Sequence, residues 1–320
     1  MAGAAIVADF DDWRWSFWLN SILLGVVILT TFFGPETYKL EILRRRAKKR
    51  GLPVPSRGDV RKLFLVAIGR PLHMLIVEPI VFPTALVGAV YQAVLYFFYI
   101  AYPLIFEELY QFTPRHVGEA FAPILVGNIL SIPVIGLFDK WKYQSARAEA
   151  VRTGGTVRPE LRLYPAMLAS ITMPVSLFWL AWTAKPNLHW AAPMLSGVLF
   201  GLSYVPIVVC YALYKNDLYG VAYGASAFAA DTLLRFLLSA AAPLFTMQLV
   251  HAVGFGWSIS LLAFVTLALT PVPWVIFWWG PALRARSRYA PRTRDEERRE
   301  IRSGGDSRTE GKMERRVGEV

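Results

Sequence analysis

The sequence predicts an all-α integral membrane protein with seven transmembrane helices, and three observations carry that expectation. Of its 320 residues 55% are hydrophobic and only 18% are charged, against about a quarter charged in ordinary soluble domains. The charges are segregated, which leaves apolar stretches long enough to cross a bilayer. The basic residues then fall in every second loop.

A crossing helix needs roughly 20 mostly apolar residues, because the hydrocarbon core is about 30 Å thick and each residue rises about 1.5 Å. Trp15–Phe33, Pro79–Phe106, Ala120–Phe138, Leu163–Ala184, Leu188–Tyr214 and Ala252–Leu283 contain no Asp, Glu, Lys or Arg. Leu218–Val250 contains only Asp231 and Arg235. These segments are apolar all round, whereas the helices of a soluble core keep a polar face. The first is read as a retained helix, since Asp9, Asp11 and Asp12 precede it where a signal peptide carries basic residues.

Orientation follows from Lys and Arg. Residues 39–76 carry eleven of them, Arg44-Arg45-Arg46 among them, and the loop 139–162 and the tail after Leu283 are basic too. The loops of opposite parity, 107–117, 185–187 and the turn at His251, are poor in base. The amino end is therefore expected outside and the carboxyl end in the cytoplasm, in a multi-pass protein of the plasma membrane. The net charge of +11 is absorbed by this pattern, so nucleic acid is not an expected partner. The single cysteine, Cys210, and the scattered His73, His116, His189 and His251 offer neither a disulfide framework nor metal-ligand spacing. No Gly-x-x-x-x-Gly-Lys-Ser/Thr motif is present, so no nucleotide cofactor is expected, and no enzyme.

The organisation read from the chain is an extracytoplasmic tail at 1–12, a first helix at 13–38 and a basic cytoplasmic linker at 39–76. A six-helix membrane half at 77–283 and a disordered cytoplasmic tail at 284–320 follow. Leu40-Glu41-Ile42-Leu43 before the arginines suggests a short helix on anionic headgroups.

Several local patterns, taken in order, resemble one family. Trp13-Arg14-Trp15 opening the first span and Pro35-Glu36-Thr37-Tyr38 closing it look like the sixth helix of fungal drug:proton antiporters of the major facilitator superfamily. Glu78-Pro79 resembles the start of their seventh helix. Gly136-Leu137-Phe138-Asp139-Lys140 resembles the second-half copy of the superfamily's loop signature, though Trp141-Lys142-Tyr143 replaces its Gly-Arg-Arg continuation. Asp231-Thr232-Leu233-Leu234-Arg235, Pro243-Leu244-Phe245 and Gly256-Trp257-Ser258 look like the eleventh helix and the beginning of the twelfth. Relatives more often have Asn at position 231, and Gly at 239 where this chain has Ser239.

The resemblance implies one leftover helix, a linker and a complete six-helix second half, with the first five helices absent. It implies proton-coupled efflux of small amphipathic compounds of the multidrug or polyamine kind, with protons, the substrate and the lipid bilayer as partners. Substrates of this superfamily bind near the midplane between two halves. Polar and aromatic residues on apolar spans are then candidates for the cavity wall: Tyr91, Gln92, Tyr96, Tyr99, Asn128 and Tyr204. Filling of helix contacts is the competing role for each. Asp139 and Lys140 are gating candidates by the same resemblance, against a plain solvated loop charge. Asp231 and Arg235, four apart on one helix face, are coupling candidates, with a structural ion pair as the simpler account.

Three other functions compete. A seven-helix receptor fits the count and topology, but the third span lacks Asp-Arg-Tyr at its end and the last lacks Asn-Pro-x-x-Tyr. A membrane enzyme would need clustered His, Asp or Cys. A transporter fragment that carries nothing, or one that works with a separate first half or with a second copy, retains every motif above.

Overall fold

The computed structural model describes residues 14–34, 39–50, 60–155 and 157–290. The expected outer tail at 1–12, Trp13, the Pro35–Tyr38 motif and the tail from 291 onward lie outside the described residues. What is described is helical: α1 (Arg14–Phe32), α2 (Lys39–Lys49), α3 (Val60–Val77), α4 (Val81–Tyr110), α5 (Pro114–Ala120), α6 (Ala122–Phe138), α7 (Ser145–Thr153), α8 (Tyr164–Thr183), α9 (Ala191–Leu269) and α10 (Pro271–Ala285). A π-type turn, Asp139–Gln144, joins α6 to α7, and a 3₁₀ turn, Pro159–Leu163, leads into α8.

Five of the described runs are long and apolar enough to cross a membrane: Val81–Tyr110, Pro114–Thr153, Pro159–Thr183, Ala191–Gly220 and Tyr223–Ala285. The first helix falls short by length, its apolar part being Phe17–Phe32. The last run, at 63 residues, would extend about 95 Å as one rod, some three times the hydrocarbon thickness.

It is not one rod. Within α9, Gly220 (φ 58°, ψ −160°) and Gly254 (φ 77°, ψ 167°) leave helical geometry for a region that only glycine enters at little cost. The chain reverses at both. Lys215 Nζ lies 2.9 Å from Asp231 Oδ1, although their Cα atoms would be about 24 Å apart along a continuous helix. Ser258 Oγ likewise donates to the carbonyl of Leu249 at 3.1 Å, nine residues back. α9 therefore has a first limb (Ala191–Gly220), a second limb from Tyr223 to Gly254, and a third that continues through Thr270 into α10.

The chain falls into two compact units, Met1–Arg70 with Tyr102–Ala122, and Pro71–Ala101 with Pro123–Val320. In the first, α1 exposes Ile22, Leu23 and Leu24 together, so adjoining faces of the helix are apolar and open, as a lipid-facing helix requires. The end of α4 and the end of α5 form an aromatic cluster. There Tyr102 donates to the carbonyl of Ala120 at 3.0 Å and its ring meets Phe106 and Phe121. Thr113 caps α5, with Pro114 in its first turn, where a missing N–H costs nothing.

In the second unit, α6 buries only a narrow stripe, Ile124, Gly127 and Ser131. Gly127 stands against the carbonyl of Val198 and Gly201 against that of Ile124. A side chain at either position would collide with backbone, so these two glycines set how closely α6 and the first limb of α9 cross. Phe98 of α4 stacks on Phe200 at 4.3 Å on another side of the same limb. Several Ser and Thr hydroxyls inside the apolar helices are satisfied by their own backbone one turn earlier, as in Thr84 to Ile80, Ser170 to Met167 and Ser196 to Pro193. That arrangement removes polar groups from lipid without a partner helix.

Two boundaries differ from expectation. The segment 39–76, read as a connector, contains the 18-residue helix α3, whose Ile68–Val77 part is apolar. Residues 287–290, assigned to a disordered tail, are held by Glu78 instead, as described next.

Candidate functional site

Three polar groupings sit within the apolar second unit. The first is at the end where α6, α8 and the first limb of α9 terminate. Arg162, just before α8, donates through Nη1 to Asp139 Oδ1 at 2.6 Å and through Nε to Asp217 Oδ2 at 2.9 Å. Tyr143 adds its hydroxyl to the same Asp217 oxygen at 3.0 Å, and the Arg162 guanidinium lies 3.7 Å over the Tyr143 ring. Gln144 donates to the other oxygen of Asp139 at 3.0 Å. One guanidinium thus joins three helix ends through a fork geometry that Lys cannot reproduce. An open groove of about 680 Å³ lies alongside, lined by Asp139, Tyr143, Gln144, Arg147 and Arg162 among others.

Of the expected gating pair, Asp139 stands in this cluster. Lys140 is exposed, and no ion pair of it is found among the described residues. Arg162 and Asp217 were missed. Arg162 had been counted only as loop charge, and Asp217 was placed in a loop because the span was ended at Tyr214. The helix in fact continues to Gly220.

The second grouping is charge deep in the helices. The anticipated Asp231–Arg235 pair does not form. Asp231 is paired instead with Lys215, with the two side chains 8% and 1% exposed. The reversal at Gly220 is the reason: it lays the second limb against the first, so a cation from the neighbouring limb outcompetes one a turn away. Arg235 contacts Thr232 Oγ1 at 3.4 Å, while its Nε is buried with no hydrogen-bond partner among the described residues.

The third grouping gathers four of the six wall candidates. The Tyr204 hydroxyl donates to Gln92 Oε1. Tyr96 and Tyr99 meet edge to face at 6.1 Å, and Gln92, Tyr96 and Tyr99 recur at helical spacing on one side of α4. Tyr99 is half exposed and Tyr204 partly so. Tyr91 is elsewhere. It is 1% exposed, its hydroxyl buried with no hydrogen-bond partner among the described residues. Asn128 sits beside Gly201 at the α6 crossing, its Oδ1 buried without a partner.

Two buried carboxylates have contacts that the sequence does not show, although Glu78 stands in the Glu78-Pro79 pattern. Glu78, 1% exposed, accepts from the Tyr219 hydroxyl at 2.9 Å, the Ser287 hydroxyl at 2.6 Å, and the backbone N–H groups of Arg288 and Tyr289 at 2.8 and 3.2 Å. Glu160, fully buried beside Gly280, meets Arg284 at 3.0 Å. Both acids lie close to prolines at helix starts, and that proximity was the only signal available.

Apolar crossings, reversals made by glycine, and polar groups confined to helix ends and one inner face define an integral, multi-pass, all-helical membrane protein. The family model described as Major Facilitator Superfamily matches residues 1–239, and the chain belongs to that superfamily. It is similar to a major facilitator superfamily multidrug transporter of Aspergillus fumigatus, 33% identical over 293 residues, which cover 88% of this chain and 47% of the relative. It is also similar to Polyamine transporter 4 of Saccharomyces cerevisiae (34% over 319 residues, 90% and 48%) and to an efflux pump of Gibberella moniliformis (36% over 296 residues, 89% and 49%). The chain spans about half the length of the curated relatives it matches.

Proposed function

We propose that the protein works in proton-coupled efflux of small amphipathic compounds. The observation that carries this reading is the face of Gln92, Tyr96, Tyr99 and Tyr204, where Tyr204 donates to Gln92 and Tyr96 meets Tyr99, a polar and aromatic surface on otherwise apolar helices. Aromatic rings supply broad apolar contact, and a few hydroxyl and amide groups orient the compound. The multidrug, polyamine and efflux descriptions of the relatives support the same class of activity.

In this reading α1 is one crossing, and α4, α6, α8 and the three limbs of α9 with α10 are six more. The amino end is outside, the carboxyl end cytoplasmic, and the membrane is the plasma membrane. The Asp139–Arg162–Asp217 cluster then lies at the cytoplasmic surface and holds that side closed by ion pairs that must open during the cycle. Asp231 is the proton-accepting candidate, with Lys215 as its resting partner. Six helices form one wall of a cavity, and the facing wall comes from first-half helices or from a second copy. A receptor function draws no support from the relatives.

The test is transport in inside-out plasma-membrane vesicles. The chain is expressed alone and together with the first half of the Aspergillus relative, and rhodamine 6G uptake is followed under an imposed proton gradient. Uptake above that of empty vesicles, abolished by a protonophore and reduced by Tyr204→Ala, is the expected result. Uptake equal to the empty control in both expressions overturns the proposal.

A further inference from the structure

Beyond the last helix the chain makes a turn built around one hydroxyl. Ser287 follows the end of α10 at Ala285 and donates to Glu78 Oε2 at 2.6 Å. The same hydroxyl oxygen accepts the backbone N–H groups of Tyr289 at 3.3 Å and Ala290 at 2.9 Å. Glu78 Oε1 accepts those of Arg288 at 2.8 Å and Tyr289 at 3.2 Å. The Tyr289 side chain is held as well, its hydroxyl 2.8 Å from His73 Nδ1 and its ring edge to face with Tyr223. Ser287 is therefore the hinge of the clasp that ties this turn to the start of α4.

Its surroundings suit a second role. Ser287 lies in irregular backbone outside any helix and is half-buried. Arg284 stands three residues before it, Arg286 one before and Arg288 one after. Arg284 is paired with Glu160 at 3.0 Å, whereas Arg286 and Arg288 are exposed. A serine set among arginines is the pattern that a kinase with an acidic substrate cleft reads, by complementarity of charge.

We infer that Ser287 is a phosphorylation site whose modification opens the Glu78 clasp. A basophilic protein kinase supplies the terminal phosphoryl group of a nucleoside triphosphate. The Ser287 Oγ–H bond gives way to an Oγ–P bond, the proton passes to the kinase's base, and the nucleoside diphosphate leaves. The product carries about −1.5 to −2 charge at pH 7, at the atom that now donates to a carboxylate. Glu78 is 1% exposed, so water screens the new repulsion poorly. The amides of the turn and the exposed Arg286 and Arg288 offer the phosphate partners on the outer side, while Tyr219 keeps its 2.9 Å bond to Glu78. The kinase takes the opened turn, and the phosphate holds it open. That the turn faces the cytoplasm, where kinases and nucleotide are found, rests on the orientation proposed above.

The test uses the whole 320-residue chain in lipid nanodiscs, which leave both faces accessible and so do not depend on that orientation. The chain is incubated with ATP and the catalytic domain of protein kinase C, and the modified residue is located by mass spectrometry. Phosphate on Ser287 is the expected result, arriving faster in Glu78→Gln, where the clasp is weaker. Amide hydrogen exchange gives the second reading. Ser287→Asp should speed exchange at Arg288 and Tyr289 by about tenfold, and the neutral Ser287→Asn of similar size far less. In a Glu78→Gln background Ser287→Asp should add nothing further. No phosphate on Ser287, or equal exchange in the Asp and Asn variants, overturns the proposal. Labelling of the unaltered chain decides the matter even where a variant does not fold. A labelled Ser287 together with failed vesicle transport removes the efflux reading and leaves the site standing.

Discussion

Lys215 and Asp231 meet at 2.9 Å across the turn at Gly220, both nearly removed from solvent. Breaking such a pair by deleting one partner strands the other charge in a low-dielectric setting, at about 3–5 kcal/mol, whereas replacing both with apolar residues is close to neutral. Lys215→Met and Asp231→Leu should each lower the thermal midpoint strongly, and the double variant should recover most of the loss. Additive losses in such a cycle, measured in one detergent, would show that the pair is not coupled.

Arg162 holds two carboxylates from different helix ends. The cluster is about a fifth exposed, so screening reduces its worth and about 1–2 kcal/mol is expected for its loss. Arg162→Met should raise hydrogen exchange across residues 139–153, and Arg162→Lys should do the same to nearly the same extent, because an ammonium cannot fork between Asp139 and Asp217. Unchanged exchange in both variants would mean that the three helix ends are held by packing alone.

Glu78 receives four donors and offers none. In Glu78→Gln one oxygen becomes an NH₂ group facing donors, which leaves a buried clash of like polarity worth about 1–3 kcal/mol. Trypsin should then cut faster at Arg286 and Arg288, read by mass spectrometry of the released carboxyl-terminal peptide. An identical cutting rate would count against the anchoring role.

Gly127 and Gly201 face backbone carbonyls at the α6 crossing. Gly127→Ala should push the helices apart and cost about 1–3 kcal/mol, the usual penalty for overpacking. Gly136→Ala, at a position with open space around it, should cost far less and serves as the control. Comparable melting of the two variants would contradict the close crossing.

The apolar crossings and the family were legible in the sequence because both are written in contiguous runs and short motifs. Pairings across reversals were not. Asp231 and Arg235 looked like partners because four residues on a helix is a local spacing, and nothing local announces that Gly220 folds Lys215 back onto Asp231. Tyr91 and Gln92 are neighbours in sequence yet point into different surroundings, and a tally of polar residues on a span does not resolve its faces. The partners of Arg162 and Glu78 were hidden for a related reason. A charge near a span end reads as topology until its partner, which comes from a distant helix, is known.

The four bonds to Glu78 have a mechanical meaning. Three of them fasten the residue just before α4 to the residues just after α10, and the fourth ties in Tyr219 of α9, so distant stretches of the chain are closed into a hoop at Glu78. A hoop resists shear between its members and transmits torque as one piece. Force applied to one end of the clasp is therefore carried to the other through Glu78.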